Sequence, residues 1–206
     1  MNNKAMYALS YGLFVLCARR GEKDNGCIIN TAIQVTTTPN RIVVAINKDN
    51  YTHDMVRESG RFTLSVLSEE AKFDLFQRFG FQSGRDVDKF AGFEGHTARD
   101  GAGVRYVTLG TSAWLSCRVV SATDLGTHTL FLADVEDGDV LSQAPSATYS
   151  YYQAHIKPRP AAAPAQGSKR RWVCKVCGYV YEGEELPADF ICPICKHPAS
   201  DFELLE

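Results

Sequence analysis

A net charge of one sign is what this sequence lacks first: 22 Lys and Arg stand against 24 Asp and Glu over 206 residues, leaving −2. No basic run reads as the electrostatic footprint of a phosphate backbone, so nucleic acid is not expected as a partner. A long apolar run is missing too. The stretch from Met6 to Ala18 follows Lys4 and is broken by Ser10 and Gly12, well short of the roughly 20 apolar residues of a spanning helix. Arg19 and Arg20 follow it in place of a small-residue cleavage site, and Leu16 before Cys17 is too large for a lipoprotein cleavage box. The expectation is a cytoplasmic protein with no membrane partner. Nor is there a P-loop or a Gly-x-Gly-x-x-Gly after a strand, since Gly101 and Gly103 sit in a loop without a third glycine, and a Rossmann reading fails.

An even cysteine count is the last absence. Seven cysteines do not make a complete disulfide framework. Four of them form two pairs, Cys174-Lys175-Val176-Cys177 and Cys192-Pro193-Ile194-Cys195, with fourteen residues between the pairs. Two tight turns bearing such pairs can close a tetrahedron of thiolates around one metal ion, with a disulfide-bonded knot as the bland alternative. Spacing alone does not separate iron from zinc. Cys17, Cys27 and Cys117 lie among apolar or small residues and read as buried, reduced thiols.

The remainder up to about residue 150 reads mostly as strand. Expected strands are Leu13 to Ala18, Cys27 to Ile29, Ile42 to Ile46, Arg61 to Leu67, Ala113 to Val120 and Thr129 to Val135. The Asn25-Gly26 pair predicts a turn with positive φ between the first two. The all-apolar run Ile42 to Ile46 predicts a strand covered on both faces. Two helices are expected, one capped by Thr52 and ended by Gly60, the other opening at Ser68 and running to Gly80. Strands in close succession with two short helices predict a small barrel. From Lys157 to Ser168 the chain is rich in Pro, Ala and Gly without periodicity, which marks a tether. About a dozen residues of this kind keep a tethered module at a local concentration in the millimolar range.

Two segments carry resemblances. Cys177-Gly178-Tyr179-Val180-Tyr181-Glu182-Gly183 followed by Leu186-Pro187-Ala188-Asp189-Phe190-Ile191-Cys192-Pro193-Ile194-Cys195 resembles rubredoxin, a one-iron electron carrier. The short gap between the cysteine pairs, with Lys196-His197-Pro198 and Phe202, is similar to the abbreviated rubredoxin at the end of rubrerythrins. Lys196 departs from the glycine that often follows the second pair, and the long insert of free-standing rubredoxins is absent. From about Tyr11 to Phe90 the chain resembles the flavin reductase-like family, through Asn25-Gly26-Cys27-Ile28-Ile29-Asn30-Thr31, Ile46-Asn47-Lys48-Asp49-Asn50-Tyr51-Thr52-His53-Asp54, Glu58-Ser59-Gly60-Arg61-Phe62 and Gly84-Arg85-Asp86-Val87-Asp88-Lys89-Phe90. Gly126-Thr127-His128 matches that family's Gly-Asp-His segment except at Thr127.

These resemblances imply a mainly β fold, an FMN-binding split β-barrel with short helices plus a small C-terminal rubredoxin-like metal domain. The implied domains are 1–155 and 170–206, joined by a linker at 156–169, with the barrel domain forming a homodimer. They place Asn30, Thr31, Gln34 and Thr36 along the isoalloxazine edge, and Asn47, Lys48, Tyr51, Thr52 and His53 along the ribityl chain and phosphate, with Lys89 as a further charge partner. His128 would serve catalysis on the nicotinamide side, and Cys174, Cys177, Cys192 and Cys195 would hold one iron. The whole chain resembles the high-molecular-weight rubredoxin type. That resemblance implies oxidation of NAD(P)H through FMN, single-electron relay through iron, and a flavodiiron protein as acceptor. Two other readings stay open: a flavin reductase that releases reduced FMN to a partner enzyme, and a non-enzymatic FMN-binding protein with a structural zinc ribbon.

Overall fold

The structure is a computed structural model and describes residue 5 and residues 8–158, 170–175, 179–192 and 197–205. Its larger body is built on one seven-stranded antiparallel sheet. The strands are β1 (Phe14–Arg20), β2 (Lys23–Ile29), β3 (Ala32–Thr37), β4 (Asn40–Asn47), β5 (Arg61–Leu67), β8 (Thr111–Asp124) and β9 (His128–Val140), with β6 (Thr97–Arg99) and β7 (Arg105–Val107) forming a separate ribbon between β5 and β8. The order across the sheet is β2-β1-β5-β8-β9-β4-β3. Consecutive strands β2 and β3 therefore lie at opposite edges, yet only Asn30 and Thr31 join them. Laid flat, six inter-strand steps of about 4.8 Å would hold those edges about 29 Å apart. A two-residue link reaches only about 11 Å. The sheet must curl until its edges nearly meet, and the Asn30-Thr31 link marks the seam.

Both faces of the middle strands are buried, which requires two cores. Leu16 and Ala18 of β1 join Phe62, Leu64, Phe131 and the helix α1 (Tyr51–Ser59) residues Met55 and Val56 in one. The alternate residues Val15 and Cys17 join Leu75, Phe76 and Phe79 of α2 (Phe73–Gly80) in the other. On β5 the alternation places Thr63 and Ser65 opposite Phe62 and Leu64, and both are buried. They are satisfied by the β7 backbone: Thr63 Oγ1 donates to the Arg105 carbonyl at 2.5 Å, and Ser65 Oγ accepts from Val107 N–H at 2.9 Å.

Several sequence expectations shift. The first hairpin turns at Gly21 (φ 59°), and Asn25-Gly26 lies inside β2, because the Asn25 side chain is buried and bonded rather than exposed at a loop tip. Asn50, not Thr52, precedes the first turn of α1, with Thr52 fully buried in the helix. α2 starts at Phe73 instead of Ser68, because Ser68 bridges to Ser146 and its N–H donates to the Gly110 carbonyl. Gly110 (φ 64°) passes so near that a Cβ there would lie 2.8 Å from the Ala71 Cα. β4 buries only Ile42, Val44 and Ile46, leaving Val43 and Ala45 half-covered. β8 and β9 run further than expected, and Asp134 and Glu136 of β9 pair with Arg118 of β8 and with Arg41 and Arg61 of the neighbouring β4 and β5.

After β9 the chain forms α3 (Tyr149–Tyr151), continues as a wider helical turn through Ile156, and resumes in the described residues at Arg170. There β10 (Arg170–Cys174), β11 (Val180–Gly183) and β12 (Phe202–Leu205) form a three-stranded sheet ordered β11-β10-β12. Among the described residues no helix is long and apolar enough to cross a membrane.

Burial pushes the thiols of Cys17, Cys27 and Cys117 up, the last to about 12. Such a thiol keeps its proton when folded and loses it in the unfolded chain above the ordinary value of 9.0, so stability falls as pH rises. Lys89 acts in the opposite sense, because burial lowers its pKa below 10.5, and stability gains with pH up to that value. Three thiols outweigh one lysine, so urea-derived unfolding free energy should decline with pH above 9.0. Cys117→Ala should relieve that decline by up to about 1.4 kcal/mol per pH unit; an unaltered slope would contradict this account.

Candidate functional site

The seam brings the first sequence-predicted residues to the end of β4. Thr31 Oγ1 donates to Asn30 Oδ1 at 3.0 Å, and the Thr31 carbonyl accepts from Ala45 N–H at 3.2 Å. At the same end β4 passes into α1 through a tight turn. Asn47 Oδ1 accepts from Asp49 N–H at 2.9 Å and the Asn47 carbonyl from Asn50 N–H at 3.1 Å. Lys48 is held by Asp124 at 2.7 Å, and that ammonium keeps the exposed Asp124 carboxyl below the usual carboxylate range. His128 opens β9 directly opposite Asn47 in the ladder, and its Nδ1 lies 2.9 Å from Thr127 Oγ1. His53, almost fully buried, has Nε2 at 2.9 Å from Thr129 Oγ1 and Nδ1 at 3.2 Å from Asp54 Oδ1.

Asn30, Thr31, Asn47, Lys48 and His128 lie at the end of β4 that leads into Tyr51, Thr52 and His53 of α1; Tyr51 and Thr52 line the cavity there, whereas Asn30 lines a separate one beside Tyr11 and Tyr149. Gln34 and Thr36 lie outside this group. They lie further along β3, opposite Ile42 and Arg41, and Gln34 Nε2 donates to Asn40 Oδ1 at 2.9 Å.

The start of α1 is built to receive an acceptor group. Asn50 at the N-cap is extended (φ −70°, ψ 127°) and makes no side-chain capping bond. The first turn of a helix presents backbone N–H groups without intrahelical partners, favourable to negative charge. A cavity of about 330 Å³ opens there, lined among others by Asn25, Tyr51, Thr52, Gly84, Lys89 and His197. Asn25 Nδ2 donates to Thr52 Oγ1 at 2.9 Å, while its Oδ1 is buried without a hydrogen-bond partner among the described residues. Gly84 lies so close that a Cβ there would fall 2.1 Å from Asn25 Oδ1. Around the rim Arg20, Lys23 and Arg85 sit 5.4, 4.8 and 5.2 Å from the Tyr51 ring centroid. Lys89 reaches the cavity wall, but its ammonium donates to the Gly26 and Phe79 carbonyls at 2.9 and 3.0 Å.

Sequence reasoning missed Asn25 as a wall residue, with Gly84 and the cations over Tyr51. The only signal was the flavin reductase-like match at Asn25-Gly26 and Gly84-Arg85. The orphan acceptor, the uncapped helix start and the cationic rim fit the phosphate-and-polyol end of a flavin.

In the smaller body Cys174 is 1% exposed and Cys192 fully buried, sharing one cluster with Phe202. Neither is in a disulfide. Each begins a turn closed in the same way: Cys174 N–H donates to the Tyr179 carbonyl and Cys192 N–H to the His197 carbonyl, both at 2.8 Å. Cys177 and Cys195 lie outside the described residues. Two matched backbone closures, each beginning at a buried cysteine, fit the two halves of a four-thiolate metal site.

Comparison with known proteins resolves the family. A model described as "Flavin reductase like domain" matches residues 6–159, and one described as "Rubrerythrin, rubredoxin-like domain" matches residues 172–203. The chain belongs to the flavin reductase-like family, with a rubrerythrin-type rubredoxin domain fused behind it. It is 35% identical to the high molecular weight rubredoxin of Moorella thermoacetica, over 98% of this chain and 99% of that one. It is 40% identical to the ferric-chelate reductase (NAD(P)H) of Archaeoglobus fulgidus, over 74% of this chain and 89% of that one. The NADH:FAD oxidoreductase SgcE6 of Streptomyces globisporus shares the fold, with a TM-score of 0.62 at 20% identity over 72% of this chain and 86% of that chain. The chain is thus a flavoprotein oxidoreductase of the electron-transport type, with a flavin domain and an iron domain.

His53 locks α1 to β9 from inside, so its loss should reach further than that of His128. His53→Leu leaves the buried Thr129 hydroxyl unpaired and should lower unfolding free energy by about 1–3 kcal/mol. His128→Ala, at the strand end, should cost under about 1 kcal/mol. Urea denaturation of both variants reads the difference, and equal costs would contradict the structural lock.

Proposed function

We propose that this protein oxidises NAD(P)H through bound FMN and relays the electrons one at a time, through one iron held by Cys174, Cys177, Cys192 and Cys195, to a separate acceptor. The observation carrying this reading is a single chain in which an uncapped, polar-walled helix start accompanies two matched cysteine turns. The two groups supply complementary chemistry: a flavin exchanges either one or two electrons, and a four-thiolate iron only one. Each NAD(P)H oxidised to NAD(P)⁺ and a proton gives two electrons, which leave as two Fe³⁺/Fe²⁺ cycles.

The residues divide the work. Asn30 and Thr31 at the seam, with Gln34 and Thr36 along β3, bind the ring edge. Asn47, Lys48, Tyr51, Thr52 and His53 bind the ribityl chain and phosphate, where the backbone N–H groups of α1 face the anion. Lys89 acts chiefly by holding β2 to the end of α2 through its two carbonyls, and stabilises the phosphate at a distance. His128 lies beside Asn47, on the side from which the nicotinamide approaches. The sheet edge at β3 exposes Ile33 (63%) and Val35 (49%), and an uncovered apolar edge favours a second copy of the chain, so the working form is a homodimer. The acceptor is a flavodiiron protein reducing nitric oxide or dioxygen, as the high-molecular-weight rubredoxin type implies. The cytoplasm, where thiols stay reduced, suits three buried free cysteines outside the metal site.

An anaerobic titration of the purified protein with NADH and NADPH tests the route. Flavin absorbance and the iron-thiolate charge-transfer bands should both bleach with the preferred nucleotide. Cys192→Ser should abolish the iron bands and leave flavin bleaching in place. Bleached flavin beside persistent iron bands in the unaltered protein would refute the relay, and a zinc-containing, colourless protein would refute the whole reading.

A further inference from the structure

The two bodies meet at α2. Phe73 and Phe81 stand at its two ends, with ring centroids 5.8 Å apart and planes tilted by 53°. Both are half-buried and pack against the cluster of Cys174, Cys192 and Phe202. Phe73 also packs on the core beneath α2, so one ring bridges the flavin domain and the metal module. A second contact lies at the cavity. His197, whose carbonyl closes the Cys192 turn, lines the same wall as Tyr51 and Thr52 at the start of α1. The buried cluster of Cys174, Cys192 and Phe202 therefore packs against the flavin domain through Phe73 and Phe81, with His197 beside the α1 cavity.

We propose that the ends of α2 and the rim of the α1 cavity form a docking surface at which the iron module receives electrons from the flavin, and from which it departs to serve the external acceptor. This rests on the relay proposed above. Among the described residues the half-buried rings of Phe73 and Phe81, with His197 at the cavity wall, carry the contact, and contacts well under roughly 1,200 Å² are typical of transient encounters. A linker of this length and composition holds the module at about millimolar local concentration, so even a weak contact is well populated yet readily left. At the dock the electrons balance as in the relay: NAD(P)H supplies two, and two successive visits remove them, each taking Fe³⁺ to Fe²⁺ before the acceptor reoxidises it.

The test uses the full chain loaded with FMN and iron, carrying Phe73→Asp or Phe73→Leu. Phe73 is not in the cavity lining, and an acidic residue suits the first turn of a helix, so α2 is retained; the melting temperature checks this. On anaerobic mixing with NADH, flavin bleaching should keep its unaltered rate in both variants. Iron bleaching should slow by about tenfold or more in Phe73→Asp, because the tether still holds the module at the same local concentration but the contact it populates is lost. In Phe73→Leu, which keeps an apolar side chain, the iron rate should stay within about threefold. Amide hydrogen exchange in the oxidised protein gives a reading independent of redox chemistry. Residues 75–81 and 197–202 should both exchange faster in Phe73→Asp than in the unaltered chain. Unchanged exchange on the module side, or iron bleaching at the unaltered rate in Phe73→Asp, would overturn the docking proposal. Iron that never bleaches in the unaltered protein would instead defeat the relay, while the exchange comparison still decides whether the dock exists.

Discussion

The two residues between β2 and β3 constrain everything else in the larger body. Because strands consecutive in the chain occupy opposite edges of a seven-stranded sheet, Asn30 and Thr31 must hold those edges together, and a flat sheet is impossible at that reach. Curling has two effects. It encloses one core behind α1 while leaving the opposite face for α2, and it brings the end of β4, the start of β9 and the first turn of α1 into one neighbourhood with the link itself. The residues proposed for the cofactor therefore sit where the closure is made, and backbone geometry there is set by the barrel rather than by local preference.

Polar groups are also buried among the apolar cores. Buried hydroxyls and amides are tolerable only when partnered, and the fold partners nearly all of them: Thr63 with the Arg105 carbonyl, Ser116 with Asp100, His53 with Thr129, and Lys89 with two carbonyls. The Asn25 oxygen is the exception among cavity-wall side chains. Asn25 lines the cavity at the uncapped helix start, so its wall carries one unmet acceptor among the described residues. Gly84 belongs to the same arrangement, since no larger residue fits beside Asn25.

Much of this was legible in the residues. The strand positions declare themselves through alternation and the metal domain through cysteine spacing, while most of the linker read from composition, like Cys177 and Cys195, lies outside the described residues. What failed did so for reasons of long-range contact. Asn25-Gly26 has the local chemistry of a turn, but its side chain is claimed by Thr52, twenty-seven residues on, and burial overrides the local preference. Ser68 with two acidic residues behind it has the chemistry of a helix start, but Gly110 and Ser146 capture its backbone for a bridge. The far halves of β8 and β9 carry few apolar residues, so periodicity stops early. Their pairing is sustained by ladder hydrogen bonds and cross-strand Arg–carboxylate pairs that no window of sequence displays. The site divides along the same line: the residues at the β4–α1 junction lie in one contiguous segment, whereas Asn25, Gly84 and the cations over Tyr51 are brought together only by the closed sheet.

The two bodies impose opposite demands on one chain. Hydride transfer needs a rigid, enclosed site, because geometry errors of an ångström are costly, and the closed barrel with its interlocked α1 meets that demand. Delivery to a separate protein needs a centre near a surface that can be offered and withdrawn. A module of about forty residues folds around a metal without needing a large core of its own, so it can be carried on a tether without loss of structure. Its cysteine turns are buried against aromatic rings within the module and, at Phe73 and Phe81, against the flavin domain. The apolar cluster that covers Cys174 and Cys192 is also the one that meets Phe73 and Phe81. On the proposed relay, a face shared between an internal donor and an external acceptor would serve only one at a time, and the strength of the contact at α2 would set how the module's time is divided.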